Sequence, residues 1–242
     1  MVKVISITDA TVDWATQRQV THHYHPETAS TNSDAKSSAL SESDDFVLYL
    51  TAHQTAGRGR GANTWLDTGN GENLLSTWSF RVDAAPQPII APRIGLALFS
   101  AASSVWPSLE WSLKAPNDLF LAGRKVGGLL VETVTNGSDS RLLIGLGLNV
   151  LNHPRRLTDA DHMGQALQNS IDSGEWFQFL DQLQAELLNI AKEANRAQLN
   201  SEECRQLVEA LNANSQRPFP IQQVSAQGDL IHAKGRVSWK DL

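Results

Sequence analysis

Apolar residues fall in short strand-like runs over most of the chain and switch to helical spacing near its end. Residues 2–7 and Phe46-Val47-Leu48-Tyr49-Leu50 read as strands, as does Asn73 to Phe80. Residues 8–29 are mixed. Ser30-Thr31-Asn32 before Ser33-Asp34-Ala35-Lys36 has the composition of a capped helix start. Between Ile89 and Trp106, the residues Ile90, Ile94, Leu98 and Ala101 lie near one face, which predicts a helix. Trp111 to Lys114 is a short strand, stopped by Ala115-Pro116-Asn117-Asp118. Proline drives the residue before it out of the helical region, and Asn-Asp favours a turn. Leu119-Phe120-Leu121 resumes a strand, and Ala122-Gly123-Arg124 signals a hairpin. Two longer strands follow, Lys125 to Val134 and Arg141 to Val150, joined at Asn136-Gly137, a strong hairpin turn. From Glu175 to Ala194 the period changes: Trp176, Leu180, Leu183, Leu187 and Ile190 mark an amphipathic helix. Ser201 to Asn212 repeats the pattern with Cys204, Leu207, Val208 and Leu211. Pro220-Ile221, Leu230-Ile231-His232 and Arg236 to Trp239 are strand-like again.

Composition narrows this picture. The chain has 242 residues, 41 % of them hydrophobic, enough for a sizeable core. The net charge of −6 argues against a general nucleic-acid binder, although it leaves room for a local basic pocket. Cys204 is the only cysteine, so no intrachain disulfide or cysteine zinc site can form; on its helical face it reads as a small hydrophobe. No secretory signal stands at the start, and the weakly polar stretch from Ile94 to Trp106 is too short to span a bilayer. A cytoplasmic protein with no membrane partner is expected. His22, His23 and His25 are close in sequence without an acidic or cysteine neighbour, and they read as a polar strand or loop.

The densest chemistry lies in Gln54-Thr55-Ala56-Gly57-Arg58-Gly59-Arg60-Gly61-Ala62-Asn63-Thr64-Trp65. Glycine lets a backbone turn sharply and approach a ligand without a Cβ in the way. Successive exposed N–H groups form a concave anion site, and arginine adds paired donors matched to carboxylate or phosphate. The loop sits between two predicted strands, a setting that favours a ligand site over a flexible tail. Three further groups accompany it: Lys114-Ala115-Pro116-Asn117-Asp118; Gly123-Arg124-Lys125-Val126-Gly127-Gly128 with its strand to Glu132; and Ile144-Gly145-Leu146-Gly147-Leu148-Asn149. Each has a bland alternative: a solvated hairpin lysine at 125, a turn aspartate at 118, a strand bend at Gly145 and Gly147.

In this order the motifs resemble those of the biotin–protein ligases: Ser30-Thr31-Asn32, the Gln54–Trp65 loop, Pro116-Asn117-Asp118, Arg124-Lys125 to Glu132, and Gly145-Leu146-Gly147-Leu148-Asn149. The likeness runs from about residue 20 to residue 152. It implies an α+β fold, a mixed β-sheet flanked by helices like that of the class II aminoacyl-tRNA synthetases. Residues 1–212 would form the catalytic domain, and 213–242 a truncated C-terminal β segment. It also implies a reaction in two steps. Biotin and ATP, with Mg²⁺, give biotinyl-5′-AMP; a lysine of a biotin carboxyl carrier domain then takes the biotin. By this resemblance Lys125 bridges carboxylate and α-phosphate, Arg60 supports the phosphate side, and Asp118 helps to hold Mg²⁺. Biotin would be bound by Ser30, Thr31, Asn32, Gln54, Gly57, Arg58, Gly59 and Gly128. ATP would be bound by Arg60, Trp65, Lys114, Asn117, Lys125 and Asn149. The glycine loop would be open or disordered until ligand closes it.

The sequence departs from the family pattern at Ala115, where an aromatic is usual, and at Ala62, which stands where a glycine is usual, Gly61 coming one place early. Leu66 to Glu72 also differs, and the stretch after Arg217 is short. Too few residues precede the catalytic region for the winged-helix domain of the bifunctional repressors, so no DNA binding is expected. The alternatives are a lipoate–protein ligase, whose usual Arg-Arg-x-Ser-Gly-Gly-Gly loop is absent, and a degenerate member that binds biotin or an adenylate without transferring it. An RNA-binding Gly-Arg loop is disfavoured by the acidic charge and the lack of repeats.

Overall fold

A computed structural model describes residues 6–242 except 138, 155 and 169, and the backbone but not the side chain of residue 240. The strand expected over residues 2–7 falls mostly outside the described residues. Its last residue, Ile7, instead opens α1 (Ile7–Gln17), whose first turn is capped by the Ser6 hydroxyl accepting from the Asp9 amide. There follow β1 (His22–Thr28), α2 (Thr31–Ser38), β2 (Phe46–Gln54), β3 (Leu74–Val82), α3 (Ile90–Val105), β4 (Trp111–Lys114) and β5 (Asp118–Leu121). Then come β6 (Arg124–Asn136), β7 (Asp139–Leu148), α4 (Met163–Ala166), α5 (Ser173–Lys192) and α6 (Ser201–Asn212). The last strands are β8 (Ile221–Val224), β9 (Asp229–His232) and β10 (Gly235–Ser238). Helix α2 starts where the sequence places it, but Ser30 makes no side-chain cap hydrogen bond. The short α4 has no counterpart in the sequence pattern.

Seven strands form one sheet in the order β1-β2-β3-β7-β6-β5-β4. Among the paired strands described, β1–β2 is parallel and the others are antiparallel, so the sheet is mixed, as the resemblance implies. The other three strands form a small antiparallel sheet, β10-β9-β8. Side chains of a strand alternate between faces, and here that alternation divides the main sheet. Leu142, Ile144, Leu146 and Leu148 of β7, with Leu48 and Leu50 of β2, join the main core together with Trp14 of α1, Ile94 and Leu98 of α3, and Trp176, Leu180 and Leu183 of α5. On the opposite face α2 covers one part, where Ala35 packs with Val47, Tyr49 and Leu143. The rest of that face carries Gly128, Gly145 and Gly147.

The large helices earn their place through buried aromatic anchors. Trp176 is fully buried against Phe179, and its indole Nε1 donates to Thr11 Oγ1 at 3.1 Å. Helix α6 is set by a reciprocal capping box between Asn200 and Glu203. Among the described residues no helix is long and apolar enough to cross a membrane. Replacing Trp176 by Ala removes a large buried side chain and leaves the Thr11 hydroxyl without its donor; we expect a loss of about 3–5 kcal/mol in urea unfolding, and a near-normal midpoint would show that α5 does not share the core.

Candidate active site

The glycine face of the sheet is the floor of a cleft of about 1240 Å³. That exceeds the roughly 300–1,000 Å³ of an ordinary small-ligand pocket. Gly128 lies directly opposite Gly147, and Leu130 opposite Gly145. Added Cβ atoms here would collide with neighbours. At Gly147 one would lie 2.4 Å from the Trp65 ring, and at Gly145 one would lie 1.9 Å from Asn32 Oδ1. These glycines are therefore required by close approach of side chains to the strand, and they are not bends.

A register shift decides where Lys125 points. Asp118 pairs with Gly128 and Leu119 with Gly127, but Phe120 pairs with Lys125. Strand β6 thus carries one extra residue, Val126, which is fully buried in the core. Without this bulge Lys125, three residues from Gly128, would face the core. With it, Lys125 shares the open face with Asp118, Phe120 and Gly128. Its Nζ lies 2.6 Å from Asp118 Oδ1 and 5.9 Å from the centre of the Trp65 ring.

The Gly-Arg loop roofs the cleft as a small hairpin. The Gly59 amide donates to the Asn63 carbonyl at 2.8 Å, and the Trp65 amide to Gly57 at 2.9 Å, with Gly61 at φ +64° at its tip. Gly57 does not line the cleft; a Cβ there would meet the Trp65 carbonyl at 2.5 Å. Its smallness lets the hairpin close against the Trp65 carbonyl. The loop lies across the cleft and is tied to the sheet. Arg58 grips Glu132 with two parallel hydrogen bonds, both 2.9 Å, from Nη1 and Nη2. Trp65 lies against Gly128 and Gly147, with its Nε1 buried and without a hydrogen-bond partner.

At one end of the cleft the Ser30–Asn32 turn is held from three sides. The Thr31 amide donates to Gln54 Oε1 at 2.9 Å, and Thr77 Oγ1 donates to Asn32 Oδ1 at 2.7 Å. Asn32 Nδ2 in turn donates to Glu132 Oε2 at 3.1 Å. Glu132 therefore joins the turn to the loop. Burial pushes its carboxyl up, but hydrogen bonds from Arg58 and Asn32 and the charges of Arg58 and Lys36 outweigh this and hold it below the usual glutamate value. At the other end Lys114 lies over the Phe120 ring, and Asn117 Nδ2 donates to the Leu129 carbonyl at 2.7 Å. The Ala115–Pro116 peptide is cis. Asn149 Nδ2 donates to the Asp161 carbonyl at 3.1 Å, while its Oδ1 is buried with no partner.

The cleft thus gathers Ser30, Thr31, Asn32, Gln54, Arg58, Gly59, Arg60, Trp65, Lys114, Asn117, Asp118, Lys125, Gly128 and Asn149, every expected site residue except Gly57. It also takes in residues 156–160, which the sequence did not single out. Glu132 and Thr77 were missed as well. Glu132 was within reach, since even-numbered residues from Gly128 share the open face of β6. The three early histidines lie on the edge strand β1, where His23 Nε2 is 2.8 Å from Glu42 Oε1. Among the described residues they do not converge on a metal-sized group.

The family model of the biotin/lipoate A/B protein ligase family matches residues 24–149. The biotin–[acetyl-CoA-carboxylase] ligase of Mycobacterium tuberculosis is 34 % identical over 136 residues, covering 54 % of this chain and 50 % of that protein. The chain therefore spans about half the length of curated relatives that it matches. Among solved structures, the biotin protein ligase from Aquifex aeolicus in complex with biotin and ATP superposes with a TM-score of 0.67 at 20 % identity, over 90 % of this chain and 94 % of that one. The Leishmania major biotin protein ligase in complex with biotinyl-5-AMP gives 0.61 at 21 % identity, over 90 % and 98 %. The fold is that of these ligases.

Changing Glu132 to Gln should free the roof. We expect trypsin to cut after Arg58 faster in the variant at neutral pH. Because Glu132 has a folded pKa below its unfolded value, its stabilising contribution is full above about pH 4.3 and is lost as pH falls through the folded value. The difference in melting temperature between wild type and E132Q should therefore shrink on acidification below about pH 4.3; a constant difference would refute this role.

Proposed function

The chain belongs to the biotin/lipoate A/B protein ligase family, and on that premise we propose that it joins biotin to the α-phosphate of ATP, releasing pyrophosphate, and passes the biotinyl group to a lysine amine of a biotin carboxyl carrier domain, releasing AMP. The observation that carries this reading is the bulge-directed Lys125, facing the glycine floor beneath the arginine hairpin. Two anions must meet for an acyl-adenylate to form, the acid's carboxylate and the α-phosphate, and they repel. A cation between them lowers that repulsion and stabilises the charge that builds as the bond forms. Lys125 takes this role, exchanging its contact with Asp118 for the two substrates. Arg60 supports the phosphates. Ser30, Thr31, Asn32 and Gln54 give the buried polar end suited to a ureido ring. Trp65 offers an aromatic face to the adenine, with Lys114, Asn117 and Asn149 on the nucleotide side.

The donor set also suits Mg²⁺, a hard cation that takes one or two carboxylates and leaves its other positions to phosphates and water. Asp118 would hold it, with the unpartnered Asn149 Oδ1 as a neutral oxygen donor. When bound, it would neutralise phosphate charge. The Arg58–Glu132 clasp keeps the roof over the cleft, which limits water attack on the mixed anhydride. We take residues 1–212 as the catalytic unit and 213–242 as an appended β segment that buttresses it, through Trp239 Nε1 donating to the Pro116 carbonyl at 2.9 Å.

Biotin-dependent exchange of labelled pyrophosphate into ATP tests the first step, with lipoate run alongside. We expect exchange with biotin and none with lipoate; the reverse result would move the chain to the lipoate branch, and exchange with neither would leave a binding protein. Lys125→Ala should reduce exchange by about 10²–10³-fold, the scale of losing one positioned donor, with biotin binding within several-fold of wild type. Undiminished exchange in that variant removes the mechanism.

A further inference from the structure

Beside the cleft, and outside the groups used above, one ring nitrogen from each of His153 and His162 and a carboxylate oxygen of Asp161 lie within 4.8 Å of one another. We propose that these three residues bind a divalent transition ion of the zinc class, and that the ion braces the wall of the cleft next to Lys125. The rings of His153 and His162 are 5.4 Å apart between centres. The Nδ1 atoms of both are buried without a hydrogen-bond partner among the described residues. Buried unpaired polar atoms are costly, and two such imidazoles beside a carboxylate call for a shared partner.

The carboxylate is already oriented. Arg124 Nε holds Asp161 Oδ2 at 3.2 Å, and the His162 amide donates to Oδ1 at 2.8 Å. With its amide nitrogen facing Asp161, Gln165 donates to Oδ1 at 2.7 Å and to Oδ2 at 2.9 Å. Such supporting contacts are typical around metal ligands. Zinc–ligand bonds of about 2.0–2.2 Å need the three atoms to close by about an ångström, a side-chain adjustment. Two imidazoles and one carboxylate favour zinc-like ions over Mg²⁺, which prefers oxygen. Three protein ligands leave a position for water.

The placement gives the ion its use. The Lys125 amide donates to the Asp159 carbonyl at 3.2 Å, and the Asp161 amide donates back to the Lys125 carbonyl at 2.9 Å. An ion tying His153 to Asp161 and His162 would close the loop between them and so fix the backbone on which Lys125 sits. The site stands whether or not the proposed ligase reaction is correct, because its test reads metal and not turnover.

The test uses the full chain, stripped with a chelator and titrated with Zn²⁺ and Co²⁺. We expect one equivalent of Zn²⁺ to bind and raise the melting temperature. One equivalent of Co²⁺ should give visible absorption bands that survive a large excess of Mg²⁺. His153→Gln and His162→Gln should each weaken Zn²⁺ binding at least about tenfold, whereas replacing His22, His23 and His25 together should leave it unchanged. Should a site variant misfold, imidazole NMR of the unaltered protein decides, since Zn²⁺ must shift the resonances of two histidines among residues 153 and 162. Absence of a one-equivalent Co²⁺ spectrum, unchanged affinity in the folded variants, or shifts at other histidines overturns the proposal.

Discussion

One extra residue in β6 sets the chemistry of this molecule. Strand pairing fixes which side chains share a face, and a single inserted residue reverses the faces on one side of it. Val126 is that residue: it drops into the core, and Lys125 comes to the open side of the sheet with Asp118 and Gly128. The opposed Gly128 and Gly147 then keep the floor low enough for Trp65 to lie on it. Remove the bulge, and the cation turns away from the only face where the glycines leave space.

The second constraint is charge held at a distance. The roof hairpin closes on itself through Gly57 and Gly59, so its shape is local, but its position is fixed by Arg58 reaching Glu132. Glu132 also receives Asn32, so the turn at one end of the cleft and the loop above it share one carboxylate. The clasp is partly exposed, with Arg58 at 40 % and Glu132 at 18 %, so solvent screens it and it is weaker than a buried pair.

Much of the site was legible because its residues come in short, ordered groups. The strand and helix periods placed β2 to β7 and α3, α5 and α6 within a few residues, since side-chain spacing reports the local backbone repeat directly. The close approach of Gly57 to the Trp65 carbonyl was not legible, because it depends on how the hairpin closes. The first helix was missed because Ile7 reads equally well as the end of an apolar run. The loop carrying His153 and Asp161 was missed because it has no period at all.

The chain's own spelling determined the elements from β2 to β7 and the helices α3, α5 and α6, the net acidic charge, the turn at Pro116-Asn117 and the Gly-Arg loop, all of them local properties of consecutive residues. Tertiary structure alone decided the register slip at Val126, the grip of Arg58 on a carboxylate 74 residues away, and the meeting of His153 with His162. The division has a physical cause. Local spacing is set by bond geometry and burial along one element, whereas register and long-range ion pairs depend on how separate elements pack, and many packings are compatible with the same local pattern.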